Sequence, residues 1–204
     1  MREKIKWGVL GCAMIARVRT IPGLLAAENA QLHAVASRSR EKAEELKALF
    51  QAEKAYGSYE ELLADPEVEL VYIAIPHSHH CLWTKKALEA GKHVLCEKAF
   101  ALNEAQAREM IGLAEEKGLL LAEALWTRYM PSRRIIDELI AGGEIGEVMT
   151  VSANLGYQID KFPSYDTDWI PAPENAPNLT IEGYDRSRAQ LFAERYGYEW
   201  RSLG

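Results

Sequence analysis

The sequence predicts an α/β fold built on a doubly wound parallel sheet, followed by a partial and atypically short second α+β domain. Three observations predict it. Short apolar runs alternate with amphipathic, helix-period segments over residues 5–125, and strands that alternate with helices of this length form a parallel sheet with helices on both faces. The strand candidates are nearly continuous in apolar residues, as a sheet covered on both faces requires. The 204 residues are 48% hydrophobic and 26% charged, an ordinary globular composition with chain enough for one core or a domain and a half.

Each element follows from local signals. Residues 5–10 form a strand that enters a turn at Gly11, and residues 14–25 carry helix-period apolar positions with a break or restart at Pro22. Residues 32–37 are the second strand, and residues 40–51 a charged amphipathic helix. Residues 59–63 are a short helix closed by Asp65-Pro66, and residues 70–75 an apolar strand ended by Pro76. A helix over residues 79–90 stops at Gly91. The strand Val94-Leu95-Cys96 follows, then a helix over residues 103–117 stopped by Gly118, then a strand over residues 119–125.

The chain changes character near residue 142. Residues 142–146 read as a turn and residues 148–155 as one more strand, whereas residues 162–178 contain Pro163, Pro171, Pro173 and Pro177 without a sustained period, the mark of a loop or linker. A last helix is expected over residues 186–196. This divides the chain into a first domain over residues 1–125 and a second over residues 126–204, whose final segment has too few apolar residues for a core of its own. Arg38-Ser39-Arg40 recurs as Arg186-Ser187-Arg188 ahead of the last helix, but matches this short imply no architecture.

Composition narrows the function classes. A net charge of −6 and a pI near 5.5 offer no basic field for nucleic acid or an anionic membrane, so a small-molecule partner is expected. No apolar run approaches the length of a membrane span, and residues 1–4 lead directly into a strand, so a cytoplasmic protein is expected. Cys12, Cys81 and Cys96 are odd in number and widely spaced, which suggests reduced thiols.

Gly8-Val9-Leu10-Gly11-Cys12-Ala13-Met14-Ile15-Ala16 lies where the first strand feeds the first helix. There a helix N-terminus offers free N–H groups to a pyrophosphate, the arrangement of a Rossmann dinucleotide site. Read as G-x-G-x-x-G/A, the motif is Gly11-x-Ala13-x-x-Ala16, with alanine in place of the middle glycine; a tight strand-to-helix turn without a ligand is the alternative. The second strand ends Val35-Ala36-Ser37-Arg38, with Arg40 and Lys42 following, where an NAD site usually places a carboxylate. Ser37, Arg38 and Lys42 suit a 2′-phosphate, so NADP is favoured over NAD.

Two further motifs fall at the same sheet edge, where ligands bind in an open parallel sheet. Ile75-Pro76-His77-Ser78-His79-His80-Cys81 follows one apolar strand. Its histidines lack metal-ligand spacing, so no metal is expected, and one inward histidine beside a cofactor is the more economical account. Glu97 and Lys98 set a carboxylate and a cation at the end of the strand at Val94; a surface salt bridge is the alternative.

These residues together resemble the glucose-fructose oxidoreductase/inositol dehydrogenase (Gfo/Idh/MocA) family of NAD(P)-dependent oxidoreductases. The resemblance runs from about Lys4 to Tyr157. It rests on Trp7-Gly8-Val9-Leu10-Gly11-Cys12-Ala13, on Pro76 with His80, on Ala90-Gly91-Lys92-His93-Val94-Leu95-Cys96-Glu97-Lys98, and on Glu123-Ala124-Leu125-Trp126-Thr127-Arg128-Tyr129. The first and last are most similar to the dihydrodiol dehydrogenase branch and its sugar-oxidising relatives, which generally use NADP.

The resemblance implies hydride transfer between the nicotinamide and a hydroxyl or carbonyl of a sugar, polyol or dihydrodiol. It implies that Lys98 contacts the substrate hydroxyl and the nicotinamide ribose of the cofactor and helps shift the proton, with His80 as the second catalytic candidate lining the nicotinamide pocket. Glu97 would brace the cofactor, Glu123 would sit near the carboxamide end, and Trp126 and Arg128 would reach toward substrate. Gly8, Gly11, Ala13, Met14, Ile15, Ile75 and Pro76 complete the cofactor positions. Ala99 stands where the family has proline after Glu-Lys, which should loosen that loop. The acid/base motif of the family's second domain has no counterpart among Asp160, Tyr165, Asp166 and Asp168, so an NADP-binding remnant without turnover is the other reading. Strand edges after Leu155 suggest self-association or a shortened sheet.

Overall fold

A computed structural model describes residues 4–151, 180–183 and 199–202. Six parallel strands form the main sheet in the order β3-β2-β1-β4-β5-β6: β1 is Ile5–Leu10, β2 Ala30–Ala36, β3 Lys54–Tyr56, β4 Leu70–Ile73, β5 His93–Cys96 and β6 Leu121–Glu123. Strand order reverses between β1 and β4. Ligands in such sheets bind in the crevice beyond the strand ends at that point.

The connecting helices are α1 (Ile21–Ala26), α2 (Arg40–Phe50), α3 (Tyr59–Leu63), α4 (His80–Glu89) and α5 (Glu104–Lys117). Their ends obey capping chemistry. Ser39, Ser58 and Asn103 accept from the N–H of Lys42, Glu61 and Gln106 at the starts of α2, α3 and α5, and Gly118 closes α5 with a positive φ of 66°. Ahead of α1 the chain winds as a wider π turn over Ala16–Thr20, and Pro22 falls in the first turn of the restarted helix. Lacking an N–H, Pro22 cannot continue a regular ladder, so the restart expected there is realised by widening the preceding turn.

Both faces of the sheet are buried. Leu10, Ala36, Val71, Ile73 and Val94 pack under α3, α4 and α5, while Val9, Val35, Tyr72 and Ala74 pack against Ala16, Ile21, Leu24, Ala43 and Leu46. Successive residues of one strand serve opposite cores, which explains why the strands read as continuous apolar runs.

At the opposite edge a polar knot ties the strands together. Asp65, nearly buried, accepts from Tyr56 Oη at 2.9 Å and Lys54 Nζ at 3.1 Å and lies 3.2 Å from His33 Nε2, while the Lys92 ammonium donates to the Asp65 and Val68 carbonyls. Burial alone would raise the Asp65 pKa. Hydrogen bonds from the Glu67 N–H, Tyr56 and Lys54 outweigh it and hold the carboxyl well below the ordinary range. His33, Asp65 and Glu67 stand close enough to share a metal ion, but Lys54 Nζ already bonds both carboxylates, at 3.1 and 2.6 Å.

Several elements differ from expectation. The short edge strand β3 is not foreseen, because three residues are too few to show a period. Helix α6 (Pro131–Ala141) is also unforeseen. Residues 148–151 are not in a strand, and Val148, Met149 and Val151 are exposed; an apolar alternation makes a strand only where a partner supplies the ladder. Residues 152–155, the proline-rich stretch over residues 162–178 and the helix expected over residues 186–196 lie outside the described residues. The chain divides into two compact units, residues 1–144 and residues 145–204. In the second, β7 (Thr180–Gly183) and β8 (Glu199–Ser202) pair in parallel.

Candidate functional site

The first helix and the end of β2 meet at Gly11. Its φ of +97° is strained for any side chain, and a Cβ there would lie 2.2 Å from the Ala74 carbonyl oxygen. Its N–H donates to Ala36 O at 2.9 Å, which ties the turn to the end of β2. Ala13 is half-buried behind it, Met14 and Ile15 are exposed at the helix start, and Ala16 is fully buried. Small residues thus bring the backbone close to the sheet while leaving the helix N-terminus open, the shape that takes a pyrophosphate. Gly8 lies deeper, under α3, where its missing side chain makes room for Leu62 and Val68.

Ser37 and Arg38 follow directly from β2. Ser37 is nearly buried and its hydroxyl accepts from the Ser39 N–H at 3.2 Å. The Cys12 thiol donates to Lys42 O at 3.6 Å; burial raises its pKa, and hydrogen bonding to Ser37 opposes the rise. Arg38 is exposed and stands by the Tyr59 hydroxyl, whose pKa burial raises and Arg38 moderates. Lys42 is exposed in the first turn of α2. Three donors of this kind, with no carboxylate at the strand end, offer a phosphate both hydrogen bonds and charge.

Ile75, Pro76 and His80 lie beyond β4, and Glu97 and Lys98 beyond β5. His80 is fully buried, with Nδ1 2.8 Å from Ala99 O and Nε2 2.9 Å from Ile75 O. Both ring nitrogens therefore face carbonyl acceptors, and a neutral ring can donate to one of them at a time. The ring staples the two strand ends together. The loop that Ala99 should loosen is in fact anchored: Ala99 O faces His80, and the Phe100 N–H donates to Glu123 Oε1 at 3.0 Å.

Glu97 and Lys98 do not form an ion pair among the described residues. Glu97 is 8% exposed and turns inward, accepting from Tyr72 Oη at 2.7 Å and from the Lys98 N–H at 3.1 Å, while Lys98 is exposed. The Tyr72 hydrogen bond keeps the Glu97 carboxylate inside while Lys98 faces out, which separates the two charges. Burial first, then the Glu97 carboxylate, holds the Tyr72 phenol well above its ordinary pKa, so it stays a donor. Burial also pushes the Cys96 thiol up to about 12. Glu123 is half-buried against the loop, and Trp126 and Arg128 are exposed in the turn after β6. Tyr72 and its second partner Thr20 are site neighbours that the sequence analysis does not single out; the one signal is a hydroxyl-bearing ring inside the otherwise aliphatic Leu70-Val71-Tyr72-Ile73.

Residues 5–125 match the oxidoreductase family with an NAD-binding Rossmann fold, Gfo/Idh/MocA. The chain is 39% identical over 178 residues to mouse trans-1,2-dihydrobenzene-1,2-diol dehydrogenase, covering 87% of this chain and 53% of that protein. It is 47% identical over 163 residues to the D-xylose 1-dehydrogenase (NADP(+)) of Hypocrea jecorina, covering 74% of this chain and 41% of that one. Among solved structures, KijD10, a 3-ketoreductase from Actinomadura kijaniata in complex with TDP-benzene and NADP, superposes with a TM-score of 0.65 at 36% identity, over 71% of this chain and 46% of that one. The chain spans about half the length of the curated relatives it matches.

Proposed function

We infer the function from one premise: the chain belongs to the Gfo/Idh/MocA oxidoreductase family. On that premise it is an NADP-dependent oxidoreductase that transfers hydride between the nicotinamide and a hydroxyl or carbonyl of a sugar, polyol or dihydrodiol. The observation that carries the cofactor assignment is the junction of Gly11 with β2, where Ser37 and Arg38 stand in place of a carboxylate. The relatives agree, since the xylose dehydrogenase is named for NADP(+) and KijD10 holds NADP.

The residues present fit that cofactor. Gly11, Ala13, Met14 and Ile15 frame the pyrophosphate end, Ser37, Arg38 and Lys42 the 2′-phosphate, and Ile75, Pro76, His80, Glu97 and Glu123 the nicotinamide end. The bound cofactor supplies the hydride acceptor or donor. The protein's own part is to place the substrate and move a proton, and Lys98 Nζ, exposed beyond β5, is the group that would exchange it with the substrate hydroxyl. His80, with both nitrogens facing main-chain carbonyls, is assigned to aiming the Lys98 loop. Trp126 and Arg128 face the substrate side.

Residues 1–125 are assigned to the cofactor and residues 126–204 to the substrate side. An NADP-binding module without turnover is the second reading, favoured by a family match that stops at residue 125. A cytoplasmic location is proposed from the three free cysteines, and among the described residues no helix is long and apolar enough to cross a membrane.

Titration of the purified chain with NADPH and NADH, followed by nicotinamide fluorescence, tests the cofactor assignment. NADPH should bind at least tenfold more tightly, the worth of one or two charge-assisted hydrogen bonds. Equal affinities would remove it. Turnover with a panel of sugars, polyols and diols then separates enzyme from binding module.

A further inference from the structure

One buried polar chain contains two residues, Thr20 and Tyr72, that have no assigned part in the proposed chemistry. Tyr72 sits inside β4 with no exposed surface, packed on the face that holds Val9, Ala16, Ile21 and Leu24. Its hydroxyl donates to Glu97 Oε1 at 2.7 Å and accepts from Thr20 Oγ1 at 2.9 Å. A phenylalanine would fill nearly the same volume without burying a polar atom, so the hydroxyl is costly there unless both its bonds are made.

The two partners belong to opposite ends of the proposed cofactor site. Thr20 closes the π turn of the helix whose N-terminus is the Gly11 phosphate turn. Glu97 is the first residue after β5, its own N–H donates to Ile73 O at 3.0 Å, and its second carboxylate oxygen takes the Lys98 N–H. Among the described residues no cation lies within ion-pair distance of Glu97. The Tyr72 bond is therefore the one side-chain hydrogen bond described for this carboxylate, which a free rotamer could otherwise swing toward solvent past the strand end.

We propose that Tyr72 is a positioning residue for Glu97, and that the chain Thr20–Tyr72–Glu97 couples the phosphate turn to the Lys98 edge across the point where strand order reverses. It acts by holding the Glu97 carboxylate, and through it the Lys98 main chain, in one orientation. The proposal rests on the NADP-site reading.

A double-mutant cycle tests it on the full chain, with NADPH affinity and melting temperature as readouts. Tyr72→Phe and Glu97→Gln should each weaken NADPH binding roughly tenfold, the size of one hydrogen bond to a charged group, and the double variant should be no weaker than the worse single one. Thr20→Val should weaken binding several-fold and Thr20→Ser restore it. If the two single effects multiply in the double variant, or if Tyr72→Phe binds NADPH as the wild type does, Tyr72 is only a core residue and the proposal falls. Should Tyr72→Phe melt early, the Thr20 pair carries the same test, because it removes and restores the outer hydrogen bond alone. A wild-type chain that binds no NADPH overturns the cofactor reading and this proposal together, whereas normal wild-type binding with multiplying effects overturns this proposal alone.

Discussion

Glu97 and Lys98 part company at the end of β5, and the chemistry available to each follows from that. Glu97 goes inward to a phenol and Lys98 outward, which leaves the lysine open for the substrate role proposed above while the carboxylate is held inside. Lys98→Met should abolish turnover and leave NADPH affinity within about twofold, because proton exchange needs the amine while the cofactor's phosphates are held elsewhere. Steady-state kinetics beside fluorescence titration checks this, and surviving turnover would make the lysine structural. The position of both residues was legible in the sequence. Their divergence was not, because which way a side chain turns at a strand end depends on Tyr72, a neighbour 25 residues away.

Among elements, the strand-to-helix turn at Gly11 is the most constrained. Gly11 and Gly118 both have positive φ, but a Cβ at Gly118 would meet nothing within 4 Å, whereas one at Gly11 would strike the Ala74 carbonyl. Gly118→Ala should therefore cost about 1 kcal/mol. Gly11→Ala should cost about 3 kcal/mol or more, through backbone strain plus displacement of β4, and should reduce NADPH affinity as well. Urea unfolding of the two variants measures the difference, and equal costs would mean that the turn relaxes freely. The helices with serine or asparagine caps were readable in advance because capping is local. Strand β3 was not, because it is three residues long, whereas helix α6, unforeseen here, does carry a local signal: Pro131 in its first turn and Ile135, Ile136, Leu139 and Ile140 at helical spacing.

For the whole molecule, the two ends of the sheet do different work. The C-terminal ends of the strands carry the proposed site, and the other edge carries the Asp65 knot that pins β2, β3 and the segment before β4. The Asp65 pKa is depressed in the folded state, so the stability it contributes is complete above its ordinary value near pH 4 and is lost as the pH falls through the depressed range. Glu67, held at about 2 by Lys54 and Lys6, acts in the same direction. Urea midpoints should therefore fall steeply between about pH 4 and pH 2. Asp65→Asn should be less stable at pH 7 by about 3 kcal/mol, since Lys54 loses a nearly buried partner, and should have a shallower acid dependence. Parallel slopes for the two proteins would place the acid sensitivity elsewhere.

The sequence by itself determined the α/β class, the order of the strands and helices of the nucleotide-binding half apart from β3, the Gly11 turn and the basic end of β2. Each is written in periodicity, caps or turn residues, interactions that span a few positions. Only the tertiary structure decided that Glu97 and Lys98 are not a pair, that His80 bridges two main-chain carbonyls, that Tyr72 and Thr20 stand behind the site, and that residues 148–151 lie outside any strand. Those outcomes depend on partners brought together from distant parts of the chain, and a buried donor or acceptor takes whatever partner the packing supplies rather than one its own neighbours encode.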